Sequence, residues 1–393
     1  MDIFILTVIW RAVILLHPGI ELPFNFEITD RDDKRTIVFM NGEERIVADE
    51  IKKEGDTLII KMPVFDSEIR VKISDGNSKM VKMNGFFINH SRTSNNIFPF
   101  SAEADNPVRF ESNNHVAKVD FTGKWETHFS PKTPDSSDAI GQFVQKRNLI
   151  TGTFLTPTGD YRYLEGNVVD STMNLSCFDG VHLFLFKAKM KPDGTIDGEY
   201  WSGSHWHEPW IGKQNNHFKL PDADTIMHLL PGYDNFTFSF PNDDSTMINF
   251  PSDKYKNKVT IIQIMGTWCP NCMDETSFLS PFYSKNKSRG LEIIGLAFEK
   301  TPDFNKAKSN IKRLKDHYKI EYPVLIAGTN NKDSSHKKLP MIDPIYSYPT
   351  TIFIDKKGKV RRIHTGYSGP ATGNYYDKWL DDFNAFIDKL LNE

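Results

Sequence analysis

Two patterns of apolar and polar positions divide the chain. Over residues 10–220 the apolar residues come in short alternating runs: Arg35–Phe39, Thr57–Met62, Glu68–Ile73, Phe121–Phe129, Leu149–Phe154, Thr172–Cys177, His182–Lys187 and Gly194–Trp201. Gly, Asn, Asp and Pro punctuate them, and long helical periodicities are nearly absent. A period of two between turn residues predicts strands. Many short strands in succession predict an all-β sandwich or barrel. Ala12–His17, the turn Pro18-Gly19 and Glu21–Ile28 read as one hairpin of that region.

From residue 234 onward the period changes. Val259–Met265 is a β-branched, uninterrupted run, as a strand buried on both faces requires. Leu291–Phe298, Tyr322–Ile326 and Ile352–Asp355 predict further strands. Between them, Phe278, Leu279 and Phe282 recur at helical spacing, as do Phe304, Ala307, Ile311, Leu314 and Tyr318 behind Pro302. The chain closes on a stripe of Trp379, Leu380, Phe383, Phe386, Ile387 and Leu390. Alternating strands and helices, with an antiparallel return at the end, predict a mixed α/β sheet flanked by helices. Residues 327–347 are an insertion, polar and basic at first, then carrying Leu339, Met341 and Ile342; a lid or short helix is expected there. The expected division is 1–115 and 116–220 as β-rich regions, separate or one unit, 221–235 as a linker with Pro221, Pro231 and Gly232, and 236–393 as the α/β domain.

Composition narrows the function classes. The 393 residues carry a net charge of −3, and no basic patch interleaved with aromatics argues for nucleic acid. No segment approaches the roughly 20 apolar residues that span a bilayer. Met1–Leu16 is apolar but a poor export leader: Asp2 stands where positive charge belongs, and Arg11 interrupts the run.

Chemistry concentrates in Gly266-Thr267-Trp268-Cys269-Pro270-Asn271-Cys272, directly after the buried strand. Pro270 suits the first helical position, which places Cys269 at the N-cap, beside unpaired amides and the positive end of the helix dipole. Such a site favours thiolate, the nucleophilic form. Cys269 is therefore expected to attack and Cys272, one turn on, to resolve, with Trp268 shielding one side. Other readings are weaker. Structural zinc needs about four ligands, and neither a second cysteine pair nor a following His-x-x-x-His exists. A purely structural bridge over so short a loop constrains the unfolded chain little. A peroxidase with a lone cysteine would use a different local motif. Glu275 reads either as a solvated carboxylate in a first helical turn or as a proton acceptor for Cys272, whose helix face it shares at i+3. Elsewhere, His205 and His207 would share a strand face, but two ligands are too few for a metal. Cys177, in an alternating run, reads as a buried small hydrophobe. No metal and no organic cofactor are expected beyond the Cys269–Cys272 pair itself.

These motifs resemble the thioredoxin superfamily, and within it the TlpA/ResA-like thiol–disulfide oxidoreductases, exported proteins abundant in Bacteroidetes-type bacteria. The resemblance covers roughly residues 234–393. It rests on Trp268–Cys272, on Glu275, on Tyr348-Pro349-Thr350-Thr351 ahead of Ile352–Asp355, and on the turn Lys356-Lys357-Gly358-Lys359 leading into Val360–His364. It implies a cis peptide at Pro349 facing the cysteines, where an ordinary trans-proline is the alternative. It implies a substrate surface of Trp268, Pro270, Tyr348 and Pro349, with the Tyr348 backbone pairing with an extended client segment. It also implies a disulfide-containing client protein, a membrane-linked or soluble thiol electron donor, and a periplasmic or cell-envelope location. Thr122-Gly123-Lys124-Trp125 is similar to the Gly-x-Trp opening of small calyx barrels such as lipocalins. The β region could thus be the working part, binding a ligand or protein while the redox domain senses or docks.

Overall fold

The computed structural model describes residues 7–31, 34–75, 81–112 and 115–393, so part of the Met1–Leu16 leader reading, Asp2 included, lies outside the described residues. Two compact units emerge: Met1–Phe154 with Tyr161–Lys219, and Leu155–Asp160 with Leu220–Glu393.

The first unit is all-β. Its first sheet has nine antiparallel strands between Thr7 and Ala104. Thr7–His17 and Ile20–Arg31 form the expected hairpin, with Gly19 supplying the left-handed residue of the turn at φ 79°. Trp10, Ala12 and Ile14 are buried alternately with their neighbours, opposite Phe26, Phe24 and Leu22 respectively. The second sheet runs from Gly123–Phe129 and Ser137–Lys146 through Leu149–Thr156, Leu164–Val169, Thr172–Phe178, Leu183–Met190 and Ile196–Ser202 to Trp206–Gln214. The last of these pairs with the first, and Ser137–Lys146 pairs with Leu149–Thr156, so the strands close into a barrel. Its interior is packed with Trp125, Phe129, Phe143, Phe154, Phe186 and Trp210, all at most 1% exposed. Trp210 fits only because Gly198 faces it: a Cβ there would lie 2.3 Å from the indole. Asn41 joins the two sheets, donating to the Phe178 carbonyl at 2.9 Å and accepting from its N–H at 3.2 Å.

The second unit centres on a five-stranded sheet. Its strands are β1 (Val259–Met265), β2 (Leu291–Glu299), β3 (Val324–Thr329), β4 (Thr350–Ile354) and β5 (Val360–Thr365), in spatial order β3-β2-β1-β4-β5. The pairs β1–β2 and β2–β3 are parallel, whereas β1–β4 and β4–β5 are antiparallel. Every residue of β1 and β2 is buried, the polar Thr260, Gln263, Glu292 and Glu299 along with the predominantly apolar remainder. The helices are α1 (Pro270–Asn286), α2 (Phe304–Tyr318), α3 (Lys332–Lys338) and α4 (Asn374–Asn392). Asp303 caps α2, accepting from the amides of Asn305 and Lys306.

Two stretches are more ordered than their composition suggests. The 221–235 segment, read as a linker, carries a short 3-10 turn at Ala223–Thr225. It also sends Met227 into the core of the second unit, with Ile226 and Leu229 packed against that core. The insertion 327–347 contains α3 and then buries Leu339, Met341 and Ile342 in the same core. Among the described residues, no helix is long and apolar enough to cross a membrane.

Candidate active site

The β1–α1 turn carries the two cysteines. Cys269 is the N-cap of α1 and Pro270 its first residue, where the pattern of the sequence puts them. The Cys272 amide donates to Cys269 Sγ at 3.2 Å, so one of the helix's unpaired N–H groups already faces the sulfur on which a thiolate would form. The cysteines are joined as a disulfide with Cα atoms 5.3 Å apart. Cys269 keeps 5% exposure and Cys272 none, so an incoming sulfur meets Cys269 first.

Facing this pair, the Tyr348–Pro349 bond is cis, and Cys269 Sγ lies 3.3 Å from the Tyr348 carbonyl oxygen. Trp268 stands over the site with its ring edge-on to Tyr348 at 5.4 Å, and its indole N–H donates to the Phe298 carbonyl. Burial pushes the Tyr348 phenol up to about 12. Asn271, between the cysteines, donates to the carbonyls of Asp160 (3.1 Å) and Tyr367 (3.3 Å). The short segment Leu155–Asp160 makes further bonds in this unit: Ser347 Oγ donates to the Thr158 carbonyl, and the Gly369 amide to the Asp160 carboxylate.

Glu275 is 1% exposed, which removes the solvated-carboxylate reading. Gln263 of β1 donates to it at 2.8 Å and Thr351 of β4 at 2.6 Å. Burial raises its pKa above the ordinary carboxylate value, while these donors and the nearby His364 charge pull the other way. Gln263 also reaches the Cys272 carbonyl at 3.5 Å, tying the carboxylate to the turn that carries the second sulfur.

A second buried carboxylate escaped the sequence reading. Glu299, at the end of β2, accepts from the Thr267 amide (2.8 Å) and hydroxyl (2.6 Å), and Asn310 of α2 reaches it at 3.4 Å. Burial raises its pKa as well. The usable signal was a carboxylate directly after the apolar run Ile293–Phe298. Also unanticipated is the cis bond Phe250–Pro251. His205 and His207 do not converge: Arg92 bonds the first, whereas the second bonds Glu199 and stacks on Trp201. Among the described residues, no group of three or more His, Cys, Asp or Glu could hold a metal ion. Cys177 is fully buried in the barrel core.

Known proteins resemble the second unit. The Redoxin family model matches residues 234–378. The thiol-disulfide oxidoreductase ResA of Geobacillus thermodenitrificans is 26% identical over 112 residues, covering 28% of this chain and 57% of that protein. ResA of Halalkalibacterium halodurans is 29% identical over 113 residues, covering 28% and 56%. The chain thus spans about half the length of the curated relatives it matches. A thioredoxin-family thiol:disulfide interchange protein of known structure from Chlorobium tepidum is 24% identical, covering 40% of this chain and 95% of that one, with a TM-score of 0.31. With a cysteine pair at a strand-to-helix turn and a cis-proline opposite, residues 234–378 resemble the TlpA/ResA-like thiol–disulfide oxidoreductases of the thioredoxin superfamily.

Proposed function

We propose that the protein is a thiol–disulfide oxidoreductase that reduces disulfides in client proteins through Cys269 and Cys272. The observation that carries this reading is the position of Cys269 Sγ, between the Cys272 amide and the Tyr348 carbonyl beside a cis-proline. A sulfur there has an amide to stabilise its thiolate and the Tyr348 peptide alongside, against which an extended client segment can add as a strand.

In the reduced enzyme the Cys269 thiolate attacks one sulfur of the client disulfide. The Cys269–client bond forms, the client's own bond breaks, and its other sulfur leaves as a thiolate that takes a proton from solvent. Cys272 then gives its proton to Glu275 and attacks Cys269; the second client sulfur departs and the internal disulfide closes. Two electrons have passed to the client, and a thiol donor restores the dithiol by the reverse exchange. The electrons reside on sulfur throughout, so the cycle requires no dissociable cofactor. Trp268 and Pro270 border the attacking sulfur, and Tyr348 and Pro349 offer the pairing edge. A disulfide client and a thiol donor, membrane-linked or soluble, fit a periplasmic or cell-envelope location, where protein disulfides persist. The ResA names of the relatives support this class of activity. The ligand-binding alternative for the first unit has less support, because the barrel interior is occupied by its own aromatic side chains.

Insulin-disulfide turnover with dithiothreitol tests the proposal. Wild type should be active and Cys269→Ala inactive, while Cys272→Ser should accumulate a mixed disulfide on Cys269. An active Cys269→Ala, or an inactive wild type under every reductant, rejects the enzyme reading.

A further inference from the structure

The second unit contains a polar row that its hydrophobic core does not explain. Gln263 of β1 lies opposite Thr351 of β4, and Thr351 lies opposite His364 of β5. Residues directly opposite in an antiparallel pair point to the same face, with Cβ atoms about 5 Å apart. The three side chains therefore line up across the sheet, from the central strand to β5, its edge strand. Gln263 and Thr351 both donate to Glu275, at the inner end of the row. At the outer end, His364 Nδ1 bonds Asp224 at 2.7 Å, and its side chain is 17% exposed. Arg362 holds the other Asp224 oxygen at 3.2 Å.

Each catalytic cycle gives Glu275 a problem. A carboxylate with 1% exposure cannot exchange protons directly with bulk water, yet it must release the proton taken from Cys272 before the next turnover. The groups around it differ in what they can accept. Gln263 and Thr276 do not titrate near neutrality. Tyr322 and Tyr367 are held protonated, by burial first and with the Glu275 charge adding to it. His364 offers an imidazole, whose two ring nitrogens can accept a proton on one side and release it on the other. Trp379 of α4, with its ring centre 6.5 Å from the imidazole, brings no charge.

We propose that His364 is the proton-relay residue for Glu275 and that Asp224 is its positioning residue; this rests on the reading of Glu275 as acceptor of the Cys272 proton. With Nδ1–H donated to Asp224, Nε2 carries the lone pair that receives a proton. Glu275 returns to carboxylate as the imidazole becomes imidazolium. The proton then leaves to water or buffer at the sheet edge, and neutral His364 is restored. No electron moves in this step. In the reductive half-cycle the same row runs backward and returns a proton to Cys272.

The test uses the full-length protein with His364→Gln, which keeps a polar side chain but cannot titrate. In a buffer poor in small general acids, insulin turnover should fall roughly tenfold, and added imidazole should restore it in proportion to its concentration. Melting temperature should stay close to wild type. Unchanged turnover across pH 6–8.5, or a loss that imidazole does not restore, overturns the relay. Glu275→Gln, measured in parallel, separates the two claims. If it turns over like wild type, the reading of Glu275 itself fails; if it is slow while His364→Gln is normal, the relay alone fails. Should His364→Gln not fold, Asp224→Asn carries the test, with a smaller loss also restored by imidazole, and turnover equal to wild type overturns the proposal.

Discussion

A carboxylate as deeply buried as Glu275 destabilises the folded chain whenever it is ionised. Its folded pKa lies above the ordinary value of 4.5, through burial first, with the bonds from Thr351 and Gln263 opposing. Between the unfolded and folded values the native state holds the extra proton, so stability falls as pH rises through that window and stays low above it. Glu275→Gln removes the titration. Its amide still accepts from Thr351, and Gln263 can turn its own amide to pair with the new N–H₂. The variant should therefore be more stable than wild type at pH 7–8, by roughly 1 kcal/mol or more, with the gain shrinking below pH 5. Its disulfide turnover should drop at the same time. Thermal melts across pH check the first expectation; a variant no more stable than wild type at pH 8 would contradict it. Glu275 itself was visible in the sequence, because i+3 from Cys272 is a local relation. Gln263, Thr351 and His364 were not, because only strand pairing brings them to one row.

At the scale of elements, the β1–α1 turn was the most legible part of the chain. A buried strand followed by Cys-Pro-Asn-Cys fixes the N-cap and the first helical residue with local information alone. What braces the turn is non-local. Phe298, Glu299 and Lys300, at the end of β2, hold Thr267 and Trp268 by two hydrogen bonds to Glu299, one to the Phe298 carbonyl and a cation 4.8 Å over the indole. Gly266 belongs to the same arrangement: a Cβ there would lie 2.2 Å from the Trp268 indole nitrogen and 2.9 Å from the Phe298 oxygen. Glu299→Ala strands the buried Thr267 amide and hydroxyl and should cost about 2–3 kcal/mol. Glu299→Gln, which still accepts from the amide, should cost less than half of that. Denaturant unfolding of the two variants checks the ranking, and equal losses would mean that the charge rather than the bonding geometry matters. Because the turn carries Cys269, Glu299→Ala should also slow alkylation of the reduced thiol, whereas a stability defect confined to another part of the unit would leave that rate unchanged.

At the scale of the whole molecule, alternation and turn residues were enough to read an all-β first unit, since a period of two survives in strands such as Ile97–Ala104, Gly123–Phe129 and Trp206–Gln214. Closure of the barrel was not readable, because it depends on which strands meet: Ser137–Lys146 returns to Leu149–Thr156 while Gly123–Phe129 finds Trp206–Gln214. Nor does the sequence reveal that the second unit is discontinuous. Thr156-Pro157-Thr158-Gly159-Asp160 has the composition of any tight turn, yet it clusters with Leu220–Glu393. Gly159 is the reason it can, since a Cβ there would lie 2.1 Å from Asn271 Nδ2 and 3.0 Å from the Tyr367 oxygen. A fragment beginning at Leu220 keeps both cysteines and every strand of the five-stranded sheet. It loses the acceptors for Asn271 Nδ2, Ser347 Oγ and the Gly369 amide that Thr158 and Asp160 provide. Asn271 and Ser347 retain second acceptors in Tyr367 and Tyr348, so the net loss is that of one to three hydrogen bonds at about 1 kcal/mol each. Urea unfolding followed by tryptophan fluorescence should place the fragment about 1–3 kcal/mol below the same unit in the full chain. Hydrogen exchange should show the difference concentrated at Asn271 and at 366–369. A fragment as stable as the intact unit, with unaltered exchange there, would mean that Leu155–Asp160 rests on the second unit without supporting it.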